Sequence, residues 1–180
     1  MLFETYSLGK IKNKVANTEP IFRNSNLIDI NIRAVKSGDI NNSHVFTNGL
    51  SSYEFCTLSR FAGLSSNLDL ISFSSPYQSS SISSLISEGI WYAIDGMNNV
   101  IDENVDLNSE NFVIYNVTVN NHDLKFVKSS ITNRWWVSID NINIVQMEKS
   151  YIPCVEDDYR LSKNSILSDR ILSRIKNKIS

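Results

Sequence analysis

The segment from residue 82 to residue 97 has the most regular apolar pattern in the chain. Its apolar and small residues recur at i, i+3, i+4, i+7, i+8, i+11 and i+15, namely Ile82, Leu85, Ile86, Gly89, Ile90, Ala93 and Met97. This spacing places them along one face of an α-helix. The pattern therefore predicts a long helix over residues 82–97 that buries one face against a core.

Shorter apolar runs and two further helical patterns precede this helix. In chain order they predict a helix over residues 2–16 that ends at Glu19-Pro20, a strand over 27–35, a polar loop over 36–49, a helix over 51–63 and a strand over 68–73. Ser51 or Ser52 can cap the second of these helices, and Gly63 suits its end. Because strands and helices alternate, the order predicts an α/β fold with a parallel sheet.

The pattern changes after Asn99. Short β-branched and aromatic runs predict strands over residues 112–119, 124–127 and 135–139, which we interpret as an antiparallel excursion at the edge of the sheet. Two helices, over residues 156–163 and 166–179, close the chain. The length of 180 residues and the lack of an internal repeat or linker predict one domain over residues 1–180.

Composition excludes some partners. The net charge of −2 gives no electrostatic attraction to nucleic acid, and no apolar run approaches the roughly 18 residues of a membrane span. Cys56 and Cys154 lie far apart and form no CxxC pair, which predicts two buried thiols in a reducing compartment. We therefore expect a cytoplasmic protein that binds neither nucleic acid nor a membrane.

The residues that most often carry chemistry form no recognisable motif. His44 and His122 are each isolated in a polar segment, so we interpret both as solvated loop side chains. The acidic pairs Asp102-Glu103 and Asp157-Asp158 are interpreted as solvated faces, because adjacent carboxylates on a helix diverge by about 100°. The adjacent Trp135 and Trp136 would point to opposite faces of a strand. From these residues alone the chain is a soluble α/β domain.

An ordered set of short segments extends this interpretation. The segments are Glu19-Pro20-Ile21-Phe22-Arg23, Thr47-Asn48-Gly49-Leu50, Tyr53-Glu54-Phe55-Cys56, Arg60-Phe61-Ala62-Gly63, Ile90-Trp91-Tyr92, Arg134-Trp135-Trp136, Ile152-Pro153-Cys154 and Asp158-Tyr159. Together they resemble the C-terminal half of the ureohydrolase family, which comprises arginases, agmatinases and formimidoylglutamases. The resemblance is closest to formimidoylglutamase/arginase-like proteins of Bacteroidetes-type bacteria and covers about residues 3–172.

The resemblance implies a fold and a chemistry. The fold would be the C-terminal half of a three-layer α/β/α arrangement with a mainly parallel sheet. In the family, two manganese ions at the carboxyl ends of the strands activate a water that attacks a guanidinium or formimidoyl carbon. Their ligands are a lone His, an Asp-x-His-x-Asp motif and a later Asp-x-Asp. Nothing here resembles the half that carries the first two sets, so we expect a chain that begins where the second half begins.

The later Asp-x-Asp pair can be compared residue by residue. An alignment without gaps places Asn31 and Arg33 on the two carboxylate positions, whereas a one-gap alternative places Asp29 on the first and Asn31 on the second. The resemblance also assigns Gly49, Leu50 and Glu54 to the segment after the metal strand, with Glu54 in a structural or supporting role. Arg134 and Trp135 belong to its later motif, and residues 72–76 supply no further acid.

The substitutions in this strand lead to three hypotheses. The first is a shortened or degenerate ureohydrolase, a pseudoenzyme with no catalytic residue, metal site or cofactor of its own. The second is an active manganese-dependent hydrolase of linear amidines or guanidines, completed by a separate N-terminal-half polypeptide. The third is a binding or assembly module. The expected partners are that polypeptide or further copies of this chain.

Overall fold

The computed structural model describes residues 5–42, 46–139 and 151–176. It is a mixed α/β protein, which confirms the predicted class at that level. The chain groups into two compact units, residues 6–102 and residues 103–180 with 1–5, called the N-terminal and C-terminal units below. The single domain proposed over residues 1–180 stays a prediction. None of the helices described is long and apolar enough to cross a membrane.

The N-terminal unit contains the predicted alternation of strands and helices. Its elements are α1 (Leu8–Asn13), α2 (Glu19–Phe22), β1 (Leu27–Asn31), α3 (Ser37–Ile40), α4 (Ser52–Gly63), β2 (Leu70–Ser74) and α5 (Ser80–Asn98), with 3₁₀ turns at Val15–Thr18 and Ile32–Ala34. Strands β1 and β2 are parallel, in register from Leu27 opposite Leu70 to Asn31 opposite Ser74. Helices α4 and α5 pack on one face of this pair, where Phe55 of α4 contacts Phe73 of β2.

Helix α5 confirms the strongest sequence pattern and refines it. Ile82, Leu85, Gly89 and Ala93 are buried as predicted, whereas Ile90 is 43% exposed and Met97 46% exposed. At about 100° per residue, these two lie roughly 80° and 60° from Ile82, at the margin of the buried face. The periodicity therefore predicted the helix and most of its buried residues, but it overestimated how much of the helix surface is buried.

The first predicted helix is wrong in extent. Within the described part of residues 2–16, α1 covers only Leu8–Asn13, and a 3₁₀ turn follows it. Pro20 does not end a helix but lies in the first turn of α2. A proline is tolerated there because the N–H that it lacks would have no partner within the helix.

The C-terminal unit is built on an antiparallel sheet. Its elements are β3 (Phe112–Val119), β4 (His122–Ser129), β5 (Trp135–Ile139), β6 (Ile152–Cys154), α6 (Glu156–Lys163) and α7 (Asp169–Lys176). The strand order is β3-β4-β5-β6, and every neighbouring pair is antiparallel. Residues 177–179 of the last predicted helix lie outside the described residues.

The expected mainly parallel sheet is therefore wrong for the described strands, because β1 and β2 are the one parallel pair among them and an isolated bridge between Val35 and Leu50 is the other parallel contact described. The predicted antiparallel strands exist, but they form a sheet of their own. The physical reason is local: Asn120 and Asn121, with φ of 49° and 63°, make a two-residue turn between β3 and β4. Such a turn joins only antiparallel neighbours.

Aromatic rings fill the core of the C-terminal unit. Trp135 stacks on Tyr115 and Tyr159, while Trp136 makes an edge contact with Phe112. The two tryptophans thus face opposite sides of β5, as predicted, and both are buried. Cys56 and Cys154 are also buried and free, which confirms their interpretation as small buried side chains.

Three of the polar interpretations are wrong. Asp158 is buried, and its Oδ2 accepts hydrogen bonds from Arg170 Nη1 at 2.7 Å and from the N–H of Val155 at 3.0 Å. Glu103 is not a purely solvated side chain either, since its carboxylate accepts hydrogen bonds from the hydroxyls of Ser129 and Thr132. His122 begins β4 instead of lying in a loop, and His44 lies outside the described residues.

Candidate functional site

The carboxyl ends of β1 and β2 are the place where an α/β sheet usually carries its ligand. Strand β1 ends at Asn31 and β2 at Ser74, and these two residues are register partners. A 3₁₀ turn over Ile32–Ala34 follows β1 directly. Asp29, Asn31 and Arg33 are thus brought together within one strand end and its turn.

Asn31 and Arg33 are exposed, and each has a definite local role. The Oδ1 atom of Asn31 accepts the backbone N–H of Arg33 at 2.9 Å and so caps the 3₁₀ turn. This is an Asx-type interaction, which favours a turn where a strand would otherwise continue. The amide oxygen of Asn31 is therefore already engaged by the backbone.

Asp29 lies two residues earlier, on the face of the sheet opposite to α4 and α5. Its side chain is exposed, and its Oδ2 accepts the hydroxyl of Ser74 at 3.2 Å across the strand pair. Asp29 is therefore the one carboxylate that the compared strand positions retain.

Gly49 and Leu50 close the loop of residues 36–49 at its base. The N–H of Leu50 donates to Ala34 O at 2.7 Å, and Leu50 O accepts the N–H of Lys36 at 2.9 Å. A Cβ atom on Gly49 would lie 2.6 Å from the backbone nitrogen of Lys36. Only glycine fits at this close approach, so the Gly-Leu pair has a packing explanation here.

Glu54 is occupied at the start of α4. Its Oε2 accepts the backbone N–H of Ser51 at 2.7 Å, and the Ser51 hydroxyl accepts the N–H of Glu54. The two residues form a capping box, which satisfies donors that the first turn of a helix leaves unpaired. The carboxylate of Glu54 therefore stabilises the helix end.

Asp39 is a second acid held at the same helix end. Its Oδ2 accepts the N–H of Ser52 at 2.7 Å, and its Oδ1 lies 3.1 Å from Lys36 Nζ. The bond from the Ser52 N–H is the main cause that holds the pKa of Asp39 below its usual value, and Lys36 adds to it. Asp39 lies in the segment that the sequence predicted as a polar loop, and no sequence pattern indicated that it binds the start of α4.

Arg134 and Trp135 belong to the C-terminal unit. Trp135 is the first residue of β5 and stacks within the aromatic core, with Lys128 Nζ 5.6 Å from its ring centre. The backbone N–H of Arg134 donates to the Thr132 hydroxyl at 3.3 Å, and Arg134 O accepts the N–H of Ser129. Both residues thus shape the β4–β5 connection and its packing.

The residues at the end of β1 do not fit a dimanganese centre. Such a centre needs anionic oxygen ligands, but the gap-free alignment supplies a neutral amide, already bonded, and a cation, and the one-gap alternative supplies Asp29 as its single carboxylate. A guanidinium about 4 Å from one divalent ion is repelled by roughly 8 kcal/mol at an effective dielectric constant near 20. Across the described residues, no three His, Cys, Asp or Glu side chains form a group that could hold a metal ion.

Comparisons with known proteins leave the family resemblance as a prediction. No family model matches the chain, and the searches of curated proteins and of solved structures also found no match.

Proposed function

We propose that this chain is a ureohydrolase-family protein with no dimanganese hydrolase activity of its own, which acts by binding a partner. One observation supports the lack of hydrolase activity: the strand end that would hold the Asp-x-Asp ligands has Asn31 and Arg33, and the Asn31 side chain accepts the Arg33 backbone N–H. A neutral amide can offer one oxygen to a metal, but it cannot offset the charge of two divalent ions.

Manganese binding tests this proposal directly. The purified chain is dialysed against Mn²⁺, bound metal is measured, and release of urea or formamide is followed with arginine, agmatine and formimidoylglutamate. We expect no stoichiometric manganese and no turnover. The variant Asn31→Asp/Arg33→Asp restores two carboxylates and should bind Mn²⁺ at least about tenfold more tightly than the wild type, because each anion adds attraction at the strand end.

A matched control separates this effect from added charge in general. Asn67 is exposed in the same unit, away from the strand end, so Asn67→Asp adds a carboxylate without building a ligand pair. We expect no change in its manganese affinity. Stoichiometric Mn²⁺ with turnover in the wild-type chain would contradict the proposal.

A second candidate function rests on Asp29. Its exposed carboxylate, which accepts the Ser74 hydroxyl, is the ligand that the one-gap alignment retains for an enzyme completed by a second polypeptide with the remaining ligands. In that case, mixing the two polypeptides should produce manganese-dependent release of urea or formamide, and Asp29→Asn should abolish it. The unchanged activity of an Asp69→Asn variant would serve as its control.

The partner expected under the first proposal would bind the face of the β1–β2 pair that α4 and α5 leave uncovered. Parallel sheets are usually covered on both faces, whereas α4 and α5 cover only one face of the β1–β2 pair. On the other face, the register partners Leu27 and Leu70 are both exposed. An N-terminal-half polypeptide or a second copy of this chain would bury this face. Hydrogen exchange of β1 and β2, measured with and without the polypeptide, tests the first of these partners.

A further inference from the structure

The outer edge of β3 differs from the other edge of its sheet. Among the described strands β3 pairs only with β4, and β6 ends the sheet on the opposite side. Strand β6 has three residues with Pro153 at its centre, two features that prevent edge-to-edge pairing. Strand β3 has eight residues, Phe-Val-Ile-Tyr-Asn-Val-Thr-Val, with no charge and no proline. Within the part of the chain that the structure describes, one edge is thus protected and the other is open.

The hairpin determines which backbone groups of β3 face outward. Val119 and His122 flank the two-residue turn, so they form a hydrogen-bonded pair, and every second residue before Val119 also bonds to β4. A bond just before the strand supports this alternation. Asn111, which belongs to the same alternate set as Val119, accepts the N–H of Ser130 through its backbone oxygen at 2.8 Å. The residues that alternate with these direct their N–H and C=O groups to the outer edge. They are Phe112, Ile114, Asn116 and Thr118.

The N–H of Phe112 is already used, since it donates to Ser109 O at 3.2 Å. The outer edge therefore offers both groups of Ile114, Asn116 and Thr118 and the C=O of Phe112. An antiparallel partner strand with matching spacing would satisfy them all.

We propose that β3 pairs with β3 of a second copy of this chain, antiparallel about a two-fold axis at Tyr115. In this register Ile114 lies opposite Asn116 of the second copy, and Phe112 lies opposite Thr118. Each of the two Ile114–Asn116 pairs makes two backbone bonds, and each of the two Phe112–Thr118 pairs makes one. The register thus makes six bonds, satisfies every outward group except the C=O of Thr118 at each end, and joins the two sheets into one of eight strands.

The side chains explain why the partner is the same chain. Because β3 carries no charge, two copies do not repel each other in any register. The proposed register places Val113, 43% exposed, opposite Val117 of the second copy, and branched cross-strand pairs of this kind are stabilising. Main-chain bonds supply the affinity in such strand addition. Strand addition through this sheet stops at a dimer, since a two-fold pair uses both β3 edges and leaves only the protected β6 edges of the joined sheet.

Charge substitutions test both the interface and its register. Ile114→Lys/Asn116→Lys places lysines opposite each other in both central pairs, whereas Ile114→Glu/Asn116→Lys places a glutamate opposite a lysine. By sedimentation velocity of the full chain, we expect dimers for the wild type and for the Glu/Lys variant. For the Lys/Lys variant we expect a dissociation constant at least about tenfold higher, because like charges directly opposite are destabilising. The Glu/Lys variant is a matched control for folding, since it changes the same two residues.

Cross-linking tests the register independently. In the proposed dimer Val113 and Val117 form a non-hydrogen-bonded pair with Cα atoms about 4.5 Å apart, which suits a disulfide. Val113→Cys/Val117→Cys should give a covalent dimer on mild oxidation. Val113→Cys alone should not, because the two Cys residues would be four positions apart, about 13 Å.

A monomeric wild-type chain, a Lys/Lys variant that dimerises as tightly as the wild type, or equal cross-linking of the single and double cysteine variants would each overturn the proposal. The inference concerns only the C-terminal unit and does not depend on the proposed function.

Discussion

Replacing Gly96 with alanine tests the close approach of α4 and α5. A Cβ atom on Gly96 would lie 2.3 Å from the carbonyl oxygen of Arg60, and one on Gly63 would lie 2.0 Å from Ala93 O. These contacts involve backbone atoms, so no side-chain rotation can relieve them. The helices must move apart by about 1 Å, and a gap of that size forfeits a quarter to a half of the dispersion energy of the atoms concerned.

The expected destabilisation is the difference between two terms. Overpacking of a core costs up to about 3 kcal/mol, and alanine in a helix recovers roughly 1 kcal/mol relative to glycine. We therefore expect Gly96→Ala to lower the free energy of unfolding by about 2 kcal/mol. Urea denaturation followed by far-UV circular dichroism measures it, with a midpoint about 1 M lower for a typical slope.

Gly9→Ala provides the matched control. Gly9 lies in α1 with nothing within 4 Å of the position of a Cβ atom, so the same substitution should stabilise the chain by about 0.5–1 kcal/mol. Hydrogen exchange of α4 and α5 would show whether the loss in Gly96→Ala is local to the helix pair. If Gly96→Ala proved as stable as the wild type, the argument from the helix crossing would be wrong.

Two further predictions concern buried or helix-capping acids. Asp158→Asn should lower the free energy of unfolding by about 3–5 kcal/mol, since it removes the carboxylate that lies 2.7 Å from the buried Arg170 guanidinium. Asp157→Asn should cost less than about 1 kcal/mol, and urea denaturation compares the two variants. Asp39→Asn should cost about 1 kcal/mol at pH 7 through the weakened bond to the Ser52 N–H. Because the pKa of Asp39 is lower in the folded than in the unfolded chain, its stabilisation is present above the usual pKa of 3.8 and is lost as the pH falls through the folded value. Thermal unfolding from pH 7 to pH 2 should show the two chains converging in acid, and a difference that persisted there would contradict this cause.

Local patterns of sequence determined the elements of this protein. The apolar repeat over residues 82–97 placed α5, and the Ser51 cap placed the start of α4. Gly63, expected just past the end of α4, is its last residue instead and lies against the backbone of Ala93. Cys56 and Cys154 were also placed correctly in the interior. These features depend on the period of a helix and on the chemistry of its ends, which involve neighbours in sequence.

The candidate site was predicted only as a set of positions along one strand. The sequence placed Asn31 and Arg33 where the family resemblance requires carboxylates. It did not reveal that the Asn31 amide is bound to the Arg33 N–H, or that Glu54 and Asp39 bind the start of α4. Hydrogen-bond partners depend on backbone turns, which composition and spacing do not specify.

Tertiary structure alone decided the sheets and the buried charges. The order of apolar runs is compatible with one sheet, but among the described strands none of β3 to β6 pairs with β1 or β2, so the strands form two sheets. Asp158 looked solvated beside Asp157, yet Arg170, twelve residues away, neutralises it in the interior. Pairing of strands and pairing of charges both join residues distant in sequence, so a pattern read along the chain predicts the elements and leaves their partners to the folded structure.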